Sequence, residues 1–205
     1  MGITMYTLND GKLAIKIART VIENHIKKEQ IPEFEVPKKF RENSGVFVTI
    51  NKFPKKMLRG CIGFPEPQFP LIDALIDASK SSSTRDPRFP PVNERELGKI
   101  IIEVSILTPP KLIEAKKPKD YLGEIKIGRD GLIIEKGLYR GLLLPQVPVE
   151  WKWDVREFLS QTCMKAGLLA DCWFDEDTKV YKFSAEIFAE EEPNGNVVRK
   201  EISEV

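Results

Sequence analysis

The stretch Leu58-Arg59-Gly60-Cys61-Ile62-Gly63 constrains this chain more than any other. It alternates apolar and polar side chains as a strand does, yet places glycine twice where a strand gains from bulk. Successive strand side chains point to opposite faces, so Leu58 and Ile62 are expected to face a core. Arg59 and Cys61 then share the other face, about 6–7 Å apart. A guanidinium at that distance favours a thiolate, and the missing side chains at Gly60 and Gly63 leave room for a ligand or another backbone. The alternative is a packed free cysteine beside glycines that mark only a bulge or a bend.

The elements around this strand follow from periodicity. Leu13, Ile17 and Val21, with Ala14, Ala18 and Ile22, predict a helix over 9–28, started by Asn9 or Asp10. Pro32 and Pro37 predict an extended connection. Residues 46–50 and 57–64 read as a hairpin across the turn 51–56, and a helix is expected from Pro70 to about Ser81. Residues 100–107 alternate strongly and predict a strand, with Glu103 and Ser105 on one face. Further strands are expected at 126–128, 132–136 and 139–144, with turns at Asp130-Gly131 and Lys136-Gly137. Asp154 with Glu157 caps a helix that Gly167 ends, and 180–188 reads as a last strand. Antiparallel hairpins interrupted by amphipathic helices predict an α+β fold.

The candidate site residues divide by chemistry. Cys61 as nucleophile and Glu103 as proton acceptor are the catalytic candidates, and Arg59, Gly60, Gly63 and Ser105 would line the same cleft for a small anionic ligand. Arg85-Asp86-Pro87-Arg88 packs two guanidiniums and a carboxylate into four positions. Arg85 or Arg88 binds an anion there, or Asp86 holds the loop by a salt bridge, the reading favoured slightly. Gln146 binds a polar ligand or satisfies loop backbone. His25 reads as a packed or surface residue, and Lys52, Lys55 and Lys56 as a solubilising hairpin tip.

Composition excludes more than it assigns. A 205-residue chain with 41% hydrophobic residues can bury a sizeable core, and a net charge of +1 gives no field for nucleic acid, leaving only weak nucleic-acid binding as a third reading. Three cysteines without CxxC spacing and one histidine suggest neither a disulfide framework nor a metal site, and Cys163 reads as core. No dinucleotide, phosphate-loop, serine-elbow or iron–sulfur pattern is present, so no cofactor is expected. With no apolar run long enough to span a bilayer and no leader pattern, a soluble cytoplasmic protein is expected.

The hexapeptide resembles the signature of the AMMECR family. So, in the family's order, do Arg85–Pro91, Glu103-Val104-Ser105 with Pro109-Pro110, Ile127-Gly128 to Gly131, Leu144–Val147, Trp153-Asp154 and Lys165-Ala166-Gly167. Asp130 stands where the family often has His, and Pro148 where Ala is usual, which puts any imidazole mechanism at that block in doubt. The resemblance implies a single AMMECR-type domain of two intimate subdomains with mainly antiparallel sheets and flanking helices. In it the N- and C-terminal parts share the larger subdomain, and the smaller lies within about residues 100–150. Residues 189–205 are then a frayed tail or a final hairpin arm. The resemblance implies no settled reaction. It does imply association with Memo-type proteins and a radical S-adenosylmethionine enzyme. Two main readings follow: a cleft around the signature strand that binds or acts on a small anion through the Cys61 thiolate, or a non-catalytic accessory or scaffold that docks those partners.

Overall fold

The first helix, α1 (Leu8–Lys27), starts one residue before the expected span because Thr7 caps it: the Thr7 side chain accepts from Asp10 N–H while the Asp10 carboxylate accepts from Thr7 N–H. Ala14, Ile17, Ala18, Val21 and Ile22 are fully buried, as the 3.6-residue period requires. The computed structural model describes residues 6–200, and the chain divides into two compact units. One comprises the described part of residues 1–107 together with 186–200, the other residues 108–185.

In the first unit β1 (Val46–Lys52) and β2 (Met57–Phe64) form the expected hairpin, followed by α2 (Leu71–Thr84) and β3 (Ile100–Leu107). β1 pairs antiparallel with both β2 and β3, so β2 lies at the sheet edge. The far side of β3 is flanked by the end of β7 (Lys179–Glu190), on which β8 (Val197–Lys200) pairs. Val46, Val48, Ile50, Ile102, Val104 and Ile106 face α1 and α2 in one apolar core. The buried Arg19 ties the layers: its Nε donates to Glu190 Oε1 at 2.7 Å and its other nitrogens to Leu97 and Ile100 carbonyls, while Glu190 Oε2 accepts from Ile102 N–H. Beyond Ala189 the chain completes β7 and returns as β8; residues 201–205 lie outside the described residues.

In the second unit β5 (Asp130–Lys136) pairs with β6 (Tyr139–Leu143) and with β7, whose other side carries the short β4 (Lys111–Leu112). The helices here are α3 (Tyr121–Glu124), α4 (Gln146–Glu150) and α5 (Val155–Lys165); Asp154 caps α5 by accepting from Glu157 N–H at 2.8 Å. Leu132, Ile134, Phe158, Leu159 and Val180 make its core. Every described ladder is antiparallel, so the fold is α+β.

Two expectations are corrected in this unit. Residues 126–128 are no strand: Ile127–Arg129 is a turn with Gly128 at φ 78°, and Asp130, expected in a turn, opens β5. The buried Asp130 carboxylate closes that turn by accepting from Lys126 N–H at 2.8 Å and pairing with Arg129. Cys163 and Cys172, read as free thiols, are joined in a disulfide with Cα atoms 6.0 Å apart. Cys163 is core as expected, but its partner approaches from the turn after α5, a proximity no sequence spacing encodes.

Candidate functional site

Cys61 sits mid-way along the edge strand β2, opposite Thr49 on β1, which in turn lies opposite Glu103 on β3. The three share one rung, and Thr49 Oγ1 donates to Cys61 Sγ at 3.2 Å. Glu103 pairs with Lys200 from β8. Cys61 is half-buried and is the free cysteine of the described chain. Burial pushes its thiol above the ordinary value. The Thr49 hydrogen bond and the Arg88 charge pull it back, while Glu103 and Asp86 push it further up.

The exposed edge of β2 is closed by the loop after α2. Asp86 Oδ2 accepts from Cys61 N–H at 2.8 Å, and an Arg88 nitrogen donates to the Cys61 carbonyl at 3.3 Å, so the two side chains occupy the place of a neighbouring strand. They also hold each other: Arg88 Nε donates to Asp86 Oδ1 at 3.0 Å and Nη2 to Oδ2 at 2.8 Å. The Arg88 pairing, with the Cys61 and Arg88 backbone N–H groups, draws the buried Asp86 carboxyl down to about 2 against the cost of its burial. Arg85 is exposed, with only a 4.0 Å approach to Asp77.

Arg59 does not stand beside the thiol. The ladder runs Ile50 opposite Gly60 and then Asn51 opposite Leu58, so Arg59 is the extra residue of a β-bulge. The bulge reverses the phase of the strand: Leu58 moves to the face of Asn51, Thr49 and Cys61, where it is 40% exposed rather than core. Arg59 is buried instead, gripping Glu96 with Nε to Oε1 at 2.9 Å and Nη2 to Oε2 at 3.1 Å, and donating to the Pro91 carbonyl. The guanidinium acting on Cys61 is that of Arg88.

The space beside both glycines belongs to the chain itself. A Cβ on Gly60 would lie 2.1 Å from the Ser82 carbonyl oxygen of α2, and one on Gly63 would lie 2.3 Å from the Val46 carbonyl oxygen. Ser105 is buried opposite Phe47. Gln146 belongs to the second unit, where its Oε1 is buried without a hydrogen-bond partner among the described residues. The cavities of about 290 and 230 Å³ in the first unit are not lined by Cys61, Arg88 or Glu103. Among the described residues no group of three or more His, Cys, Asp or Glu side chains could hold a metal ion, and no helix is long and apolar enough to cross a membrane.

Sequence reasoning missed two residues: Glu96, which neutralises Arg59, and Thr49, which binds the thiol. Asn93 and Glu96 form a capping box at the turn before β3, and that spacing is the signal that could have placed Glu96 near ordered structure. Nothing local marks Thr49, whose role is set by register alone.

The signature is thus a glycine-bearing edge strand locked by an Asp–Arg fork, in an α+β chain of two compact units. The AMMECR1 family model matches residues 15–188, and the chain belongs to that family. It is 54% identical over 198 residues to protein MJ0810 of Methanocaldococcus jannaschii, covering 97% of this chain and 98% of that one. It is 56% identical over 197 residues to protein PYRAB00100 of Pyrococcus abyssi, covering 94% and 96%. The crystal structure of the uncharacterized protein PH0010 from Pyrococcus horikoshii is similar with a TM-score of 0.86 at 55% identity, covering 93% of this chain and 96% of that one.

Proposed function

We propose that this protein is a non-catalytic accessory that docks a protein partner through the β1–β2 hairpin carrying the signature. The observation that carries the reading is how the hairpin distributes its side chains. Arg59 is spent inward on Glu96, whereas Phe53, Met57 and Leu58 stand 40%, 56% and 40% exposed beside exposed Lys52, Lys55 and Lys56. Clustered exposed apolar side chains with a basic rim suit an acidic partner surface with an apolar notch. The family resemblance names Memo-type proteins and a radical S-adenosylmethionine enzyme as the partners to try first. The other reading, a thiolate acting on a small anion, is disfavoured by the raised Cys61 thiol and by the engagement of Asp86, Arg88 and Glu103 with neighbours.

The test is a calorimetric titration with each purified candidate partner, using the wild-type protein, Met57→Asp/Leu58→Asp and Cys61→Ser. Because both apolar residues are exposed, the double variant should fold normally and bind at least about tenfold more weakly, with Cys61→Ser close to wild type. Binding by neither candidate, or binding indifferent to the double substitution, would remove this reading; a reaction lost in Cys61→Ser would favour the thiolate.

A further inference from the structure

We infer that the apolar notch between the end of β2 and the start of α2 receives the β1–β2 hairpin tip of a second copy of this chain. The notch, about 230 Å³, is lined by Phe64, Phe69, Asp73, Ala74 and Asp77. Its open surface is almost wholly apolar. Phe69 is 46% exposed, and its ring meets that of Phe64 edge-on with centroids 5.8 Å apart. Pockets for drug-sized ligands begin at about 300 Å³, so this one suits a single large side chain.

Charge says what fills it. Asp73 and Asp77 follow each other at helical spacing on α2 and make the notch acidic at its rim. Asp73 is exposed without an ion pair among the described residues, and Asp77 meets the exposed Arg85 only at 4.0 Å. An apolar hollow with an acidic rim suits an apolar side chain in a basic setting. The hairpin tip of this same chain supplies one: Met57, 56% exposed, follows Lys55 and Lys56, both exposed and without an ion pair among the described residues. Methionine is unbranched and its sulfur packs favourably on aromatic rings, so Met57 suits the Phe64–Phe69 surface, with Lys55 and Lys56 for Asp73 and Asp77.

A chain does not fill its own notch. Met57 opens β2 and Phe64 ends it, roughly 20 Å further along the strand, so the occupant comes from another copy. Related by a two-fold axis, two copies make the contact twice, tip to notch and notch to tip, and the assembly closes as a dimer. Each contact is small and rimmed by exposed charges, so the dimer is weak and sensitive to salt. The inference shares the hairpin with the docking function proposed above but needs no foreign partner: a chain that binds neither candidate still dimerises, and dimerisation competes with a partner for Met57.

The experiment is sedimentation velocity on the intact protein from micromolar to millimolar concentration, at low and high salt. The wild type should pass from monomer to dimer as concentration rises, and high salt should oppose the change. Met57→Asp at the tip, Lys55→Glu/Lys56→Glu beside it and Asp73→Lys/Asp77→Lys at the notch all alter exposed or half-exposed positions. Each should keep the melting temperature and self-associate at least about tenfold more weakly. An equimolar mixture of Lys55→Glu/Lys56→Glu with Asp73→Lys/Asp77→Lys restores opposite charge at both contacts of a mixed pair, so it should dimerise as the wild type does. A wild type that stays monomeric throughout, a dimer weakened by the tip variants alone or the notch variant alone, or a mixture that stays monomeric would each overturn the inference.

Discussion

Each oxygen of Asp86 answers two groups: Oδ2 takes Cys61 N–H and an Arg88 nitrogen, and Oδ1 takes the Arg88 backbone N–H and Nε. Its carboxyl is depressed to about 2, so the stability it adds is fully present above the ordinary carboxylate value near ~4 and is lost as pH falls toward 2. The size is about 2 kcal/mol. Urea denaturation at pH 6 should show Asp86→Asn weaker by about that amount, and the gap should shrink as both proteins approach pH 2. A gap that stays constant with pH would mean that the carboxylate charge is not what holds the loop. At this scale the sequence was legible where partners are local: the Asp86–Arg88 pair lies within one loop. It was not legible for Arg59, because its partner Glu96 is distant in sequence and a bulge, which leaves the apolar–polar alternation of the letters unchanged, decides where the side chain points.

Among the elements, α1 and β3 were readable because their apolar residues recur with the period of their element against one core, whereas residues 126–128 alternate too but end in a turn that Asp130 closes. Two contacts between elements make predictions. Gly60 lets α2 approach β2 so closely that a Cβ would lie 2.1 Å from a backbone carbonyl oxygen that cannot rotate away. Gly60→Ala should therefore lose about 1–3 kcal/mol, the range for overpacking a close contact, and a melt identical to wild type would show that the helix moves freely. The Cys163–Cys172 disulfide closes a short loop of sequence separation 9, for which chain entropy gives about 2–3 kcal/mol. Reduction, or Cys163→Ser with Cys172→Ser, should lower thermal stability accordingly, and amide exchange should locate the loss between α5 and the turn that follows it. Unchanged protection there would show that the packing of Phe158, Leu159 and Trp173 suffices without the bond.

For the whole molecule, the choice between a docking protein and a thiol enzyme turns on whether the signature places its charge on the sulfur or in the framework. The geometry puts it in the framework: Arg59 on Glu96, Asp86 on the Cys61 backbone, Arg88 on Asp86, with the thiol left half-buried and raised above its ordinary value. A thiol raised on folding also lowers stability as pH climbs from the unfolded thiol value near ~8.5 toward the folded one, so the stability of the wild-type protein should fall over that alkaline range by more than that of Cys61→Ala, and equal slopes would contradict the raised thiol. The most direct measurement is the rate of Cys61 alkylation by iodoacetamide in the native protein across pH, for wild type, Arg59→Ala and Arg88→Ala. The account predicts slow modification at neutral pH and a midpoint above that of an ordinary thiol, moved further up by Arg88→Ala and left in place by Arg59→Ala. Fast alkylation at neutral pH with a depressed midpoint that Arg59→Ala raises would contradict it.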